Sequence, residues 1–459
     1  MSDNNLITVT IDGVQVQVTP DDTILTAANL AGIEIPTLCY LKGLNPEGSC
    51  RMCLVEVEGN AKGLVTACTQ PCTDGMVVHT KSEKVIEARR FVLDLLLSNH
   101  EGNCFSCAKN GGCKLQDYCF EYGVEKTSFE QPVQPDRPEP DYSNKFLAYD
   151  PKKCILCRRC QRTCAKIQGK GILSVSNRGF NAAITTSFEM PWENTECEHC
   201  GNCAAACPTG ALVTKDNLYN YRPYNIKKVR TTCPHCATGC QMDLIVRDNK
   251  IVGCEPADGE SNHNTLCVKG RFGSFKFVHS GDRITDPLIK DKETGKFRKA
   301  SWDEALDLVA SRFMQIKKEY GPDSLAGFAC SRSPNEDIYM VQKMVRTCFG
   351  TNNTDNCARV CHSASVSGLA MTLGSGAMTN PIYDITHDVD AILLVGSNPE
   401  EAHPVVGAQI RQAVQNGTQL IVVDPRDIGL AKSAAVHLKL RPGTNVAFAN
   451  GMMNVFINE

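Results

Sequence analysis

The sequence predicts a multi-domain α+β chain in which small cysteine-rich modules precede an α/β domain. Three observations carry this reading. The chain has 459 residues, too many for one hydrophobic core. It holds 26 cysteines, most of them in spaced arrays between Cys39 and Cys267. Near its end, Asp390–Gly396 and Thr418–Val423 are apolar strand-like runs flanking a helical pattern at Val405–Gln415, a βαβ unit with its loops at the carboxyl ends of the strands.

Composition narrows the classes. Hydrophobic residues make up 42% and charged residues 22%, an ordinary globular balance, and the net charge of -3 gives no reason to expect nucleic acid or an anionic membrane as partner. The opening MSDNNLITVTIDG is not a signal peptide, and no apolar run approaches about 18 residues. Arg89-Arg90 and Arg158-Arg159 lie too deep for a twin-arginine signal. A cytoplasmic, reducing setting is expected, in which clustered cysteines are metal ligands and not disulfides.

The first module opens on alternation: Ile7, Val9 and Ile11, then Val14, Val16 and Val18, around Asp12-Gly13. That is a β-hairpin with a two-residue turn. Thr23–Ala31 reads as a short helix with Asp21 or Asp22 as its N-cap. Cys39, Cys50, Cys53 and Cys68 follow as C-x10-C-x2-C-x14-C. Three thiolates on one loop and a fourth farther on suit a [2Fe–2S] cluster, with a longer first gap than the plant-type loop; zinc is the alternative. Cys72 reads as a spare. Ser82–Ser98 carries apolar residues at Val85, Ile86, Phe91, Val92 and Leu95–Leu97, an amphipathic helix. It leads to His100, Cys104, Cys107 and Cys113, H-x3-C-x2-C-x5-C. A neutral imidazole in place of one thiolate makes such a site less negative and helps it accept an electron; zinc is again the alternative. Cys119 has no assigned role.

Gln131–Asp141 is rich in proline and charge and reads as a linker. Beyond it Cys154, Cys157, Cys160 and Cys164 form C-x2-C-x2-C-x3-C, and Cys197, Cys200, Cys203 and Cys207 repeat it before Pro208. This is the bacterial two-[4Fe–4S] pattern, in which each fourth cysteine serves the other cluster. One cluster is expected on Cys154, Cys157, Cys160 and Cys207, the other on Cys197, Cys200, Cys203 and Cys164. A fourth array, C-x2-C-x3-C-x26-C, comprises Cys233, Cys236, Cys240 and Cys267. Inside it, Met242–Val246 and Ile251–Cys254 read as a hairpin turned at Asp248-Asn249. Lys269 follows two residues after Cys267. Trp302–Lys317 is a further amphipathic helix. The stretch Asn356–Asn380 then centres Cys361-His362 among small residues, which let backbone approach a bulky ligand. A thiolate is a soft metal ligand, and a neighbouring imidazole moves protons near neutral pH; a buried inert cysteine is the alternative.

These motifs carry a resemblance. The first two arrays resemble the N-terminal [2Fe–2S] domain and the one-His, three-Cys [4Fe–4S] segment of the large Fe–S subunit of NADH:quinone oxidoreductase and of iron-only hydrogenases. C-P-x-C-x-x-G-C followed by L-C-x-K-G is similar to the opening of the molybdenum or tungsten bis-pterin oxidoreductases, the dimethyl sulfoxide reductase family. N-C-A-R-V-C-H-S-x-S-V-x-G-L, with G-x-G-A-M-T-N after it, is similar to the active-site segment of that family's formate dehydrogenases. The resemblance implies a β-grasp [2Fe–2S] domain at 1–80, a one-His [4Fe–4S] segment at 81–125 and a linker at 126–142. A two-[4Fe–4S] ferredoxin domain follows at 143–222, then a [4Fe–4S] subdomain at 226–282 and an incomplete α/β molybdopterin-binding domain at 283–459.

It also implies roles. Cys361, where relatives carry Cys or selenocysteine, binds Mo or W. His362 handles the proton, and Lys269 lies between the pterin and the nearest cluster. Gly396, Asn398 and Glu401, with Asp424 and Arg426, hold the guanine-dinucleotide tails of the pterins, Asp424 bonding guanine or ribose; Gly443 and Asn445 join them. The G-x-G-x-x-G fingerprint of an NAD site is absent from the βαβ unit. The implied cofactors are one [2Fe–2S], four [4Fe–4S] and Mo or W bis(molybdopterin guanine dinucleotide). The implied activity is formate oxidation to CO2, or its reverse, with electrons passing along five clusters to an NAD(P)-reducing flavoprotein partner. Three alternatives stand beside it. One is an electron-relay subunit like that of NADH:quinone oxidoreductase, which lacks the pterin site. Another is a different substrate such as nitrate. The third is a non-enzymatic Fe–S half completed by a second chain. Catalytic subunits of this layout run to about twice this length, well beyond one domain. The resemblance therefore implies a split-gene product or a fragment, ending in the apolar pattern Met452–Glu459 and lacking the arginine that orients formate.

Overall fold

A computed structural model describes residues 6–60, 63–130, 138–218 and 220–459. The chain packs as two units, Met1–Lys276 with Ile382–Glu459, and Phe277–Pro381. Among the described residues no helix is long and apolar enough to cross a membrane.

The first unit begins with a mixed sheet. Ile7–Ile11 (β1) and Val14–Val18 (β2) pair antiparallel around Asp12 and Gly13, at φ 45° and 86°. Left-handed backbone at both turn positions matches the twist of the strands. Leu54–Val57 (β3), Val65–Thr66 (β4) and Val77–His79 (β5) complete the order β2-β1-β5-β3-β4, with β1 and β5 parallel. Helix Ile24–Leu30 (α1) covers this sheet, and Val9, Ile11, Ile24, Ala28, Val55 and Val78 fill the core between them. This is the β-grasp arrangement. The cap of α1 corrects the expectation. Thr23, not Asp21 or Asp22, is the N-cap, its hydroxyl accepting from the Thr26 N–H at 3.3 Å. Asp22 is already engaged by the Thr19 N–H (2.9 Å) and hydroxyl (2.8 Å).

Helix Glu83–Leu97 (α2) follows and buries Val85, Arg89 and Leu93, a stripe recurring every four residues. Phe91 and Leu95, expected on the apolar face, are 57% and 45% exposed. Each sits two residues from a stripe position, about 200° round the helix. The expected linker lies partly outside the described residues, which omit 131–137. The ferredoxin-like module contains two short antiparallel pairs, Leu147–Tyr149 with Leu212–Thr214 and Leu173–Ser176 with Ala183–Thr186. Its core combines Leu147, Leu173, Ile184, Trp192 and Leu212 with the cysteines themselves.

Lys227–Thr232 (β6), Gln241–Arg247 (β7) and Lys250–Pro256 (β8) form an antiparallel sheet in that order. The anticipated hairpin is β7–β8, turned at Asp248 and Asn249 with φ 47° and 59°. The later segment of the unit carries the βαβ element between helices Ile382–Thr386 and Asn445–Asn458. Ala391–Val395 (β9) and Gln419–Val423 (β10) are parallel and joined by helix Pro404–Gln415 (α3), and Val436–Leu438 (β11) extends the sheet, also parallel. β9, expected to be buried, is an edge strand in which Ile392 alone is buried.

In the second unit, helix Trp302–Tyr320 is N-capped by Ser301, whose hydroxyl accepts from the Glu304 N–H at 3.1 Å; it reaches Tyr320 where the pattern predicts Lys317. Gly327–Ala329 and Thr354–Asn356 form a parallel pair, followed by helices Ala358–Cys361 and Ser363–Leu373.

Candidate metal centres

The two four-cysteine loops of the ferredoxin-like module repeat each other in backbone as well as in sequence. Leu156 and Arg158 in the first, and His199 and Gly201 in the second, take positive φ of 53°, 56°, 53° and 75°. These turns coil each loop around its cysteines. The Leu156 N–H donates to Cys154 Sγ and the His199 N–H to Cys197 Sγ, each at 3.4 Å. Such bonds stabilise negative charge on sulfur. The fourth cysteines are exchanged across the repeat. Cys160 is raised by burial and then by Cys207, Cys154 and Cys157. Cys203 is raised by burial and then by Cys200, Cys164 and Cys197. The structure thus gathers Cys154, Cys157, Cys160 and Cys207 in one place, and Cys197, Cys200, Cys203 and Cys164 in another. Burial pushes the Cys157 and Cys200 thiols up to about 12. Crowded buried thiols resist ionising alone, and bound iron reverses that balance by supplying the missing positive charge. The donor set fits an iron–sulfur cluster at both places.

In the first module the Cys39 N–H donates to Cys50 Sγ at 3.4 Å, and Cys53 and Cys68 meet at 3.3 Å between sulfurs. The hydrogen bond from Cys50 outweighs burial and holds the Cys39 thiol down at about 5, while the same bond pushes Cys50 up. Cys72 belongs to the same core, where burial pushes it up to about 11. In the next segment the His100 N–H bonds the Leu97 carbonyl at 3.2 Å, just past α2. Cys107 neighbours both Cys104 and Cys113, and Cys113 also feels Cys207. This segment therefore adjoins the first ferredoxin-like set. A side-chain carbon at Gly210 would collide with Cys107 Sγ. Burial pushes Cys119 up to about 11.

Cys240 is pushed up to about 12 by burial and then by Cys233, Cys236 and Cys267, so the fourth array also converges. The Gly270 N–H donates to Cys267 Sγ at 3.5 Å. Lys269 is exposed at the start of the wide, π-helical turn Lys269–Gly273. Cys254, passed over in the sequence, is buried beside this array on β8, where its thiol donates to Met242 Sδ at 3.5 Å. It sits outside any C-x-x-C spacing, and only the pairing of β7 with β8 brings it there. Among the described residues no three ligating side chains close on a point as a lone ion requires.

The βαβ loops carry the remaining candidates of the first unit. Gly396 turns at φ 58°, its N–H donating to the Val423 carbonyl at 2.9 Å. Asn398 Oδ1 is buried with no hydrogen-bond partner among the described residues, an acceptor left over for a ligand's donor. Glu401 is exposed. Asp424 is 1% exposed, and its carboxylate accepts from the Arg426 N–H (2.9 Å), Nε (3.0 Å) and Nη2 (3.0 Å). That engagement holds the Asp424 carboxyl below its ordinary range and leaves Arg426, with its side chain 61% exposed, as the group presented outward. Gly443 and Asn445 are exposed, before and at the start of helix Asn445–Asn458.

In the second unit Cys361 ends helix Ala358–Cys361, and His362 breaks the chain direction (φ -146°, ψ 18°) before helix Ser363–Leu373. Both side chains are exposed. Arg359 is fixed by Asp355 at 2.8 Å. Cys357, one turn before Cys361, accepts from the Ser331 N–H at 3.3 Å, and the Ser331 hydroxyl lies 3.0 Å away; these bonds hold its thiol below the ordinary value.

Known proteins match this layout segment by segment. Residues 4–83 match a 2Fe-2S iron-sulfur cluster binding domain, 89–128 the NADH-ubiquinone oxidoreductase-G iron-sulfur binding region, and 145–213 the ferredoxin-like domain of NADH-quinone oxidoreductase subunit 3. Residues 226–279 match the molybdopterin oxidoreductase Fe4S4 domain and 283–459 the molybdopterin oxidoreductase domain. The architecture joins [2Fe–2S] and [4Fe–4S] domains to a molybdopterin oxidoreductase domain. Among similar proteins, the NADPH-Fe(3+) oxidoreductase subunit alpha of Geobacter sulfurreducens is 37% identical over 99% of this chain and 52% of its own length. An NADH-quinone oxidoreductase subunit of Rhizobium meliloti is 36% identical over 95% and 50%. A Staphylococcus haemolyticus protein named "Putative formate dehydrogenase SH0748" is 30% identical over 98% and 49%. The chain spans about half the length of these relatives.

Proposed function

We propose that this chain belongs to a formate dehydrogenase, in which HCOO⁻ yields CO2, one proton and two electrons. Cys39, Cys50, Cys53 and Cys68 hold a [2Fe–2S] cluster. The His100, Cys104, Cys107 and Cys113 set, the two exchanged ferredoxin-like sets, and the Cys233, Cys236, Cys240 and Cys267 set each hold a [4Fe–4S] cluster. Cys361 ligates molybdenum or tungsten, and His362, exposed at the helix break beside it, takes up the proton. Arg426, aimed by Asp424, and the Asn398 acceptor hold the dinucleotide tails of the pterin, with Gly396, Glu401, Gly443 and Asn445 around them. When bound, the metallopterin supplies two-electron chemistry that no amino acid offers. Lys269 stands beside the Cys233 set.

The observation that carries the reading is the continuity of the cysteine sets in a chain that also holds Cys361-His362. The Cys267 loop bonds the Cys200 loop through Asn202, whose Oδ1 accepts the Leu266 N–H at 3.1 Å. The two ferredoxin-like sets share the exchange of Cys164 and Cys207, and Cys207 adjoins Cys113. Such a series delivers electrons one at a time toward an NAD(P)-reducing flavoprotein partner. A cytoplasmic setting belongs to the proposal, since so many thiols keep their ligating form where reductants abound. The test is formate-dependent dye reduction by the intact protein with its co-purifying subunits. Cys361→Ala should abolish it with iron content unchanged; formate turnover that survives the substitution sinks the assignment. An electron relay without substrate chemistry is the second reading, and the Rhizobium meliloti relative's name favours it.

A further inference from the structure

Three arginines stitch the modules together at their cysteine loops. Arg162 of the ferredoxin-like module donates to the Cys39 carbonyl, and through Nη1 to the Asn45 carbonyl at 3.0 Å. Arg222 donates to the Cys107 carbonyl at 2.5 Å. Arg271, four residues after Cys267, donates from Nε to the Cys200 carbonyl at 2.8 Å and from Nη2 to Asn202 Oδ1 at 3.0 Å. Arg271 differs from the others in its charge environment. Arg162 has Glu47 at 3.6 Å as a counter-charge. Arg271 is 2% exposed, and among the described residues no carboxylate stands within ion-pair distance of it. The nearby Glu255 is committed to Lys228 at 2.6 Å. Gly201 folds directly over the arginine: a Cβ there would lie 2.5 Å from Arg271 Cδ. A buried guanidinium whose partners are neutral oxygens lacks the counter-charge that burial requires. Around it stand Cys200 and Cys203, two of the four cysteines of one set, and the buried Cys254 of β8, whose thiol is pushed up to about 12 by burial and so supplies no counter-charge.

We propose that the counter-charge of Arg271 is the anionic cluster held by Cys197, Cys200, Cys203 and Cys164, and that Arg271 raises the reduction potential of that cluster. This rests on the cluster reading above. Reduction adds one electron, and so one negative charge, to the cluster, the donor being the neighbouring cluster of the Cys233 set. A fixed cation in a low-dielectric site favours the more negative state. Arginine suits the place because it keeps its charge when buried and its fork spans the carbonyl and the amide together. Arg271 is thereby a positioning and potential-setting residue at the junction between the ferredoxin-like module and the Cys233 subdomain.

The experiment is EPR-monitored redox titration of the intact protein. Arg271→Gln and Arg271→Met are neutral replacements of different shape, so a packing failure in one leaves the other, and Arg271→Lys keeps the charge. The expected result is a shift of one [4Fe–4S] signal to more negative potential in the neutral variants, largely restored in the lysine variant, with the [2Fe–2S] potential and iron content unmoved. Unchanged potentials in the neutral variants, or an equal fall in the lysine variant, overturn the proposal. A wild-type protein without ferredoxin-type signals fails the cluster reading itself, a separate outcome.

Discussion

Replacing Arg411 with methionine should weaken the first unit by about 3 kcal/mol. Arg411 lies on α3 and is 8% exposed. It donates to the Gln168 carbonyl at 2.9 Å, reaches both Glu198 carboxylate oxygens at 3.1 Å, and pairs with Glu400. Glu198 sits between Cys197 and His199, and Glu400 is two residues from Asn398, so one guanidinium ties a cluster loop to a candidate pterin loop. Without it, two carboxylates share Lys170, which stands 3.2 Å from Glu198 and 3.9 Å from Glu400. Breaking a buried pair costs about 3–5 kcal/mol. The lower end applies, because the Glu198 side chain is 27% exposed and the Glu400 side chain 13%. Unfolding entropy of about 2.1 cal/mol/K per residue gives a unit of about 350 residues only about 1.3 °C per kcal/mol, so the melting transition should fall by roughly 4 °C. Scanning calorimetry of Arg411→Met, Glu400→Gln and the double variant reads it. The double variant should lose clearly less than the sum of the singles. A shift under about 2 °C, or strict additivity, would refute the argument.

Other predictions follow from the same geometry. Gly201→Ala forces a side chain into left-handed backbone and against Arg271, and should cost about 1–3 kcal/mol, read as a lower urea midpoint together with lost iron. Asp424 contributes stability above its unfolded pKa near 4, and this is lost as pH falls through its depressed folded value. Unfolding midpoints measured below about pH 4 should therefore fall more steeply in wild type than in Asp424→Asn; parallel pH profiles would count against the Arg426 pairing. Iron chelation under reducing conditions should open the ferredoxin-like module, because Cys160 and Cys203 are part of its core with Leu147 and Trp192. Limited proteolysis should then cut between Cys154 and Cys207 before it cuts α2. An unchanged cleavage pattern would show that the core stands without metal.

Local pattern made part of this molecule legible. Asp12-Gly13 and Asp248-Asn249 place two hairpins because few other residues accept left-handed turns, and the βαβ unit shows in its two apolar runs. Lys227–Thr232 escaped notice because five of its six residues are exposed on an edge strand and carry no apolar alternation. Thr23 took the cap from Asp22 because Thr19 had claimed the carboxylate, a competition that residue preferences do not encode. What sequence could not show is pairing across distance. Arg162 meets Cys39 across 123 positions and Arg411 meets Glu198 across 213, and neither leaves a local signature. The gathering of each cysteine set follows the spacing, whereas the burial of Arg271 among them comes from how the modules pack.

Anaerobic metal analysis of the intact protein with its co-purifying subunits, corrected for any iron those subunits carry, tests the cluster and metal assignments most directly. About 18 iron atoms are expected from this chain, one [2Fe–2S] and four [4Fe–4S] clusters, with close to one molybdenum or tungsten. The same iron without either metal would contradict the formate assignment and leave an electron relay.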